Sequence, residues 1–503
     1  LFRFMWRFFI MKTSYMVDYD VRNSYYHKLL SLPMDFYAKY STGQIMSRAT
    51  SDMNAVRMTA GPGFLALFDP LFMGFISIVN MVGISRDLTL LALIPLPFIA
   101  ILVLIFQRII YKYFKQVQEQ FSTLTNFSQN SFSGIKIIKS YTKEKEITKK
   151  FNKISDEYRS TYFKLIRMES LFHPIIIFFS SISLVIILYF GGKLVVNGQI
   201  TIGSFYAFQG YLMALIWPMV AIGWVINIWV RGLASMSRLN DIFEEENVLK
   251  PGENRLNNIE TIEFENVYFK YPKSKEWILK DVSFKFDCCE KIAFVGRIGS
   301  GKSTLVELIL RLYDPQRGKI YLNGKDIRSY RIKDIRKIIG YVPQESFLFS
   351  ESLKDNLILS NDEIGHLLQK VVKYSGLEET IDNFSDGLET QVGEKGVTLS
   401  GGQRQRMTIA RALYKKPEFI IFDDSFSSID SQVENRILQS IEEEYGKLMQ
   451  LYIAHRFSTI QHVDKIYVIK DGSICEEGRY DELIEEEGEF YKIYLTQKLE
   501  EEE

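Results

Sequence analysis

The chain has 503 residues, is 47% apolar, and carries 61 basic and 61 acidic side chains, so its formal net charge is zero. With no net positive charge and no basic tail, nothing favours a nucleic acid as a partner, and none is expected. Its three cysteines, Cys288, Cys289 and Cys475, form no C-x-x-C pair, which excludes a disulfide scaffold and points to reduced cytosolic thiols.

Apolar residues are concentrated in the first half. Residues 1–11 are apolar but interrupted by Arg3 and Arg7. They match neither a signal peptide nor a complete span, and read as the end of a membrane helix whose beginning, with at least one earlier span, precedes Leu1. Four later stretches, 64–84, 88–106, 171–190 and 202–230, are mostly apolar. Each has the roughly 20 residues that a ~30 Å hydrocarbon core requires. The short connections 85–87 and 191–201 hold one cation each, Arg86 and Lys193, whereas 108–167 holds 13 Lys and Arg. The positive-inside rule therefore places the long loops and everything after Arg231 in the cytoplasm. The expected location is the inner (cytoplasmic) membrane, with the lipid bilayer itself as a partner.

The long loops, 11–62 and 107–170, keep helical periodicity, so the membrane helices should continue into the cytosol. Two breaks interrupt them, 32–43 (LPMDFYAKYSTG) and 133–141 (SGIKIIKSY). Exposed apolar residues there, Phe36, Tyr37, Ile137 and Ile138, imply docking on another surface. Asp69 is the only carboxylate inside an expected span. Followed by Pro70, it reads either as a substrate or gating residue or as the cap of a helix break. Asn80, Gln209 and Asn227 are expected to bond between helices. A polar connection over 238–259 precedes two strands, 262–269 and 282–286, with antiparallel alternation. The resulting division is a transmembrane domain over 1–240, a linker over 241–260 and a soluble domain over 261–503.

The most informative stretch follows. Ile292, Ala293, Phe294 and Val295 make a short buried strand, Gly296–Ser303 (GRIGSGKS) fits G-x-x-x-x-G-K-[ST], and 304–313 has helical apolar spacing. Gly296, Gly299 and Gly301 allow the tight backbone turn that aims the N–H groups of Arg297, Ile298, Ser300 and their neighbours inward. The helix beginning near Lys302 adds the positive end of its dipole. Lys302 would reach the β- and γ-phosphates, Ser303 would give its hydroxyl to Mg²⁺, and Thr304 would cap the turn. The implied ligand is a nucleoside triphosphate with its metal.

From the phosphate loop onward the order of motifs resembles the ATP-binding cassette (ABC) domain, over 262–495. Tyr271 in VYFKYP resembles the aromatic on which adenine stacks. Gln344 in YVPQESFLFS resembles the glutamine that reaches Mg²⁺, VGEKG at 392–396 resembles an exporter-type loop, and His455 in IAHR resembles the switch histidine. LSGGQ at 399–403 matches the family signature. There Ser400, Gly401, Gly402 and Gln403 form a second phosphate-binding helix start, which the resemblance directs at a partner chain's ATP.

Asp423, ending the apolar strand 419–422, corresponds to the Walker B carboxylate that holds Mg²⁺ through water. The next residue is Asp424, where active members carry Glu. A side chain one methylene shorter withdraws its carboxylate by roughly 1 Å, which can cost about 10²-fold in rate. The membrane half is similar to heterodimeric bacterial multidrug exporters through DFYAKYSTGQIMSRATSDMNAVR (35–57).

The resemblance implies a helical exporter-type transmembrane domain followed by an α/β P-loop domain. It implies ATP-driven export of hydrophobic or amphiphilic small molecules by a heterodimer, with Asp424 in the slow site and Glu after the Walker B Asp of the partner. Lipid or peptide export, or an ATP-gated regulator that moves no substrate, are the alternatives.

Overall fold

The computed structural model describes residues 1–359, 365–393, 399–454 and 456–502. They form two compact units, one of Leu1–Leu30 with Gly43–Glu245, the other of Ser31–Thr42 with Glu246–Glu503.

The first unit is helical. Helix Phe2–Ser31 stops where Pro33 forces the preceding residue out of the α region. A continuous run, Thr42–Ile84, follows, with wide turns at Arg48–Asp52 and Thr59–Gly63. The second wide turn contains Pro62, whose missing N–H and ring it accommodates without ending the helix. Ser85, in extended conformation, caps the next run, Arg86–Ser133, by accepting from Leu88 N at 3.4 Å. After Ile135–Ser140 and Glu144–Val196, Thr201 opens Ile202–Phe243 by accepting from Ser204 N at 3.1 Å.

Four of these runs are long and apolar enough to cross a membrane, and each contains one expected span. Their extra length is the cytosolic continuation that the periodicity implied. Met81, Leu88, Ile99, Phe208 and Leu212 are buried where the runs pack together. Phe72, Ile177, Phe178 and Trp217 are exposed, an arrangement that suits a bilayer rather than water.

Two readings of polar residues in the spans are corrected. Asp69 caps nothing, because Phe64–Ile84 runs unbroken past Asp69-Pro70. Its carboxylate instead accepts from Arg7 Nη2 at 2.9 Å, a pairing 62 residues apart that a local reading could not anticipate. Asn80 bonds within its own helix, to Ile76 O at 2.7 Å. Asn227 does reach across helices, meeting Gln107 at 3.3 Å.

The second unit has two sheets. The smaller is antiparallel, ordered β2-β1-β4-β5, with β1 Thr261–Phe269, β2 Leu279–Asp287, β4 Arg317–Leu322 and β5 Lys325–Asp326. The larger is ordered β10-β9-β3-β8-β7-β6, with β3 Lys291–Val295, β6 Ile339–Val342, β7 Phe419–Asp423, β8 Met449–Ile453, β9 Lys465–Lys470 and β10 Ser473–Gly478. Only β10 runs antiparallel to its neighbour. β3, β7 and β8 are apolar along nearly their whole length because both faces are covered, one by helices and the other by helix Lys302–Ile309 together with the smaller sheet, whose Phe284 and Phe286 pack on Phe294 and Phe419. The carboxyl ends of β3, β7 and β6 then open on one side, where ligands bind in such sheets.

In the helical unit a buried carboxylate joins two distant runs. Asp52 accepts from Ser235 Oγ at 2.8 Å and from Arg238 Nε at 3.0 Å. Asp52→Ala leaves both donors without their acceptor, and because Arg238 is half exposed the cost is limited to about 1–2 kcal/mol. Thermal unfolding of the purified transporter should show a midpoint lower by about 2–4 °C per kcal/mol. An unchanged midpoint would remove the triad from the unit's stabilising contacts.

Candidate functional site

β3 delivers the chain into a loop, residues 296–301, that opens helix Lys302–Ile309. Gly299 (φ 83°) and Gly301 (φ 106°) take left-handed conformations that side chains resist. Gly296 is fixed by proximity instead: a Cβ there would stand 2.3 Å from Ile469 O. Ile298 at the loop apex is 93% exposed. The helix is shorter than its apolar spacing suggested. It ends at Ile309, since Arg311 is left-handed (φ 48°), while Leu310 and Tyr313 remain apolar because they pack into the core beside β1 and β4.

Lys302 is buried, and its ammonium donates to Gly296 O at 2.6 Å and Arg297 O at 3.0 Å. Burial lowers its pKa from 10.5 to about 8, against the opposing pull of Asp424 and Asp423. Ser303 Oγ donates to Asp423 Oδ1 at 3.0 Å, and Tyr341 OH donates to Asp423 Oδ2 at 3.3 Å. Burial raises the Asp423 carboxyl above its ordinary value, even though both of these hydrogen bonds act to lower it. A hydroxyl and a carboxylate oxygen so paired are hard oxygen donors of the kind that suit Mg²⁺.

Thr304 does not cap its turn. The cap position is Gly301, with no side-chain bond, and the Thr304 hydroxyl lies 3.0 Å from Tyr271 OH instead. Tyr271 also donates to Glu307 Oε2 at 2.6 Å, and its own pKa is raised by burial and by Glu307. Asp424 follows β7 in left-handed conformation (φ 46°), its N–H donating to Ile453 O at 2.7 Å. Gln344 Nε2 donates to Asp424 Oδ2 at 3.1 Å, so Gln344 and Asp424 meet. Lys302, Ser303, Asp423, Asp424 and Gln344 are thus brought together at the carboxyl ends of β3, β7 and β6.

The signature is organised separately. Ser400 caps helix Gly401–Tyr414: its hydroxyl accepts from Gln403 N at 3.3 Å, while Gln403 Oε1 accepts from Ser400 N at 2.9 Å. A Cβ on Gly402 would stand 2.7 Å from Ser428 O, so the glycine lets the helix start pack against the loop after β7. His455 and positions 394–396 of VGEKG lie outside the described residues.

Four residues were not singled out from the sequence. Tyr341 stands three positions before Gln344, and Glu307 three after Thr304 on the same helix face, so spacing alone would have placed each near the site. Gln405 holds the loop after β7 through Ser427 Oγ (3.1 Å) and Ser428 N (2.9 Å). Arg456 holds it from the other side, through Ile429 O (2.9 Å) and Ser427 O (3.0 Å). These two contacts are long-range and carry no sequence signal.

Comparison with known proteins agrees with this geometry. The chain matches the ABC transporter transmembrane region over residues 2–219 and the ABC transporter domain over 279–427. It is 36% identical over 505 residues to the multidrug resistance-like ATP-binding protein MdlA of Buchnera aphidicola subsp. Baizongia pistaciae (strain Bp), covering 99% of this chain and 87% of that protein.

The chain belongs to the ABC transporter family. A second relative is the probable multidrug resistance ABC transporter ATP-binding/permease protein YheI of Bacillus subtilis (strain 168), 35% identical over 99% of this chain and 86% of the relative. In fold it is similar to a bacterial Atm1-family ABC exporter with ATP bound, with a TM-score of 0.80, 21% identity, and coverage of 97% of this chain and 86% of that one. This ABC transporter chain is therefore a multi-pass protein of the inner membrane, with an exporter-type helical domain and a cytoplasmic domain that binds ATP. Its activity is ATPase-coupled transport.

The lowered pKa of Lys302 has a measurable consequence. Phosphates bind its protonated form, and Lys302 loses that proton as pH rises through about 8. ATP affinity at this loop should therefore be flat below that pH and fall by up to about tenfold per unit above it. Binding of a fluorescent ATP analogue across pH 6.5–9.5 reads the slope. Lys302→Arg should abolish the slope, and Lys302→Ala should weaken binding at all pH values. A wild-type affinity that is flat through pH 9.5 would sink the assignment.

Proposed function

We propose that this chain is one subunit of a heterodimeric exporter of hydrophobic or amphiphilic compounds, and that it contributes the slower of two ATP sites. The observation that carries this reading is Asp424 with its short carboxylate, held by Gln344, beside a signature helix whose cap is fully formed. A chain that hydrolyses poorly at its own loop but keeps its signature intact is suited to completing a faster site on a partner with Glu after its Walker B Asp.

In this reading Tyr271 carries the adenine, and Lys302 with the N–H groups of residues 296–304 holds the outer phosphates. Ser303, Gln344 and Asp423 hold Mg²⁺, which when bound neutralises charge on those phosphates. Asp424 is the weak base and His455 the switch residue at the same site. Ser400, Gly401, Gly402 and Gln403 address the partner's ATP.

Closure of two such domains moves the long cytosolic helices, and hydrolysis at the partner's site resets them. A cavity of about 330 Å³ between runs Thr42–Ile84 and Ile202–Phe243, lined by Ala66, Gly74, Phe75, Leu215, Pro218 and Ile222, supports an apolar cargo. The names of the two relatives, both multidrug-resistance-like, support the same cargo class.

Two experiments test this reading. In the co-expressed pair, Asp424→Asn should lower ATP turnover by no more than about threefold, while Glu→Gln at the partner's corresponding position should lower it by 10² or more, the scale of a lost general base. This subunit purified alone as a dimer, with ATPase activity equal to the pair, would overturn the heterodimer. Helix Ile135–Ser140 should dock on the partner's ATP-binding domain. Ile137, 65% exposed in the single chain, should accordingly label as cysteine with a water-soluble maleimide in the isolated subunit and be protected in the pair. Equal labelling in both would remove that docking role.

A further inference from the structure

Residues Met34–Lys39 form a six-residue helix that clusters with the ATP-binding unit. So short a helix cannot repay its own nucleation, and the last four carbonyls of any helix lack partners within it. Contacts with that unit must hold it. One is apolar: Phe36 is 1% exposed, and Leu32 and Pro33 are also buried.

The other contact is Lys273. Its ammonium donates to Ala38 O and stands 3.5 Å from Lys39 O, at the C-terminal end of the helix. A cation there satisfies orphan carbonyls and complements the helix dipole. At the opposite end the first-turn carboxylate of Asp35 complements the helix dipole, and its charge is felt by Tyr313.

Lys273 stands two positions after Tyr271, in a turn closed by Ser274 N donating to Tyr271 O at 2.9 Å. A turn closed in this way moves as one piece. The Tyr271 ring packs edge-on against Phe269 and Tyr313, with centroids 5.1 and 5.5 Å away, and its hydroxyl is held by Thr304 and Glu307. One four-residue turn therefore carries the aromatic of the ATP site at one end and the clamp on a helix of the membrane-domain connection at the other.

We propose that Lys273 is a positioning residue that ties helix Met34–Lys39 to the Tyr271 turn, so that nucleotide binding at Tyr271 moves the C-terminal end of this helix. The inference rests on the proposed role of Tyr271 as the adenine platform. Lys273 itself takes no part in binding nucleotide. Without it, Phe36 still anchors the helix, but the helix axis no longer follows the turn. Because the two ends are joined by a physical contact rather than by proximity alone, the coupling can be measured directly.

The test uses the assembled transporter in lipid nanodiscs, with Cys288, Cys289 and Cys475 replaced by serine and Met34→Cys as a reporter on the helix. Maleimide labelling of position 34 should change by about fivefold or more on adding Mg-ATP, and in Lys273→Ala this response should shrink to less than about twofold. Lys273→Arg, which keeps a donor cation, should restore it. Binding of a fluorescent ATP analogue should stay within about twofold of wild type in both variants, since the clamp lies outside the nucleotide contacts. A full ATP response in Lys273→Ala overturns the clamp, and so does a loss of response that only parallels a loss of ATP affinity. Tyr271→Ala, measured alongside, should weaken analogue binding by about tenfold, the worth of one base stack. Unchanged binding in Tyr271→Ala, with the Lys273 effect intact, would overturn the adenine role and leave the clamp standing.

Discussion

A buried ammonium with no carboxylate bonded to it among the described residues is an expensive thing for a protein to keep, and the nucleotide site is arranged around one. Lys302 is held by two carbonyl oxygens of its own loop, and those reach it because Gly299 and Gly301 bend the backbone back over the helix start. Desolvation outweighs the carbonyl dipoles and the pull of Asp424 and Asp423, which is why the lysine pKa falls. A polyphosphate supplies what is missing. The opposite charge is stored nearby in Asp423, whose burial raises its pKa and whose oxygens are held by Ser303 and Tyr341. ATP accompanied by a metal ion would complement both charges.

Much of this was legible in the sequence, because the relevant interactions are local. The phosphate loop spans eight consecutive residues, and its strand, turn and helix each leave a pattern within them. The same holds for the signature, where Ser400 and Gln403 cap one helix start reciprocally. Membrane runs were legible for a different reason: the bilayer imposes a length and an apolarity that no soluble segment needs. Even the two breaks showed, since Pro33 and Gly134 interrupt long periodic stretches.

The misreadings have one physical cause, a partner far away in sequence. Thr304 reads as a cap on local grounds, yet its hydroxyl finds Tyr271, 33 residues earlier. Asp69 before Pro70 reads as a helix break, yet Arg7 takes the carboxylate and the helix continues. Residues 310–313 continue an apolar spacing that the backbone abandons at Arg311, because burial selects apolar residues in a turn as readily as in a helix. Pattern reports what is buried. It does not report what conformation the burial takes.

The loop after β7 joins the carboxylate end of the site to the start of the signature helix. Gln405, one turn into the signature helix, holds Ser427 and Ser428; Gly402 admits the Ser428 carbonyl; and Arg456, beside the switch position, holds Ser427 and Ile429 from the other side. The same loop begins at Asp424, which Gln344 grips. A change in what Asp423 and Asp424 face is thereby passed through a few main-chain atoms to the start of the signature helix. Asp424 stands at one end of this loop and the signature contacts at the other, so a shorter carboxylate there leaves Gln405, Gly402 and Arg456 holding the start of the signature helix as before, which is compatible with the asymmetric pair proposed above.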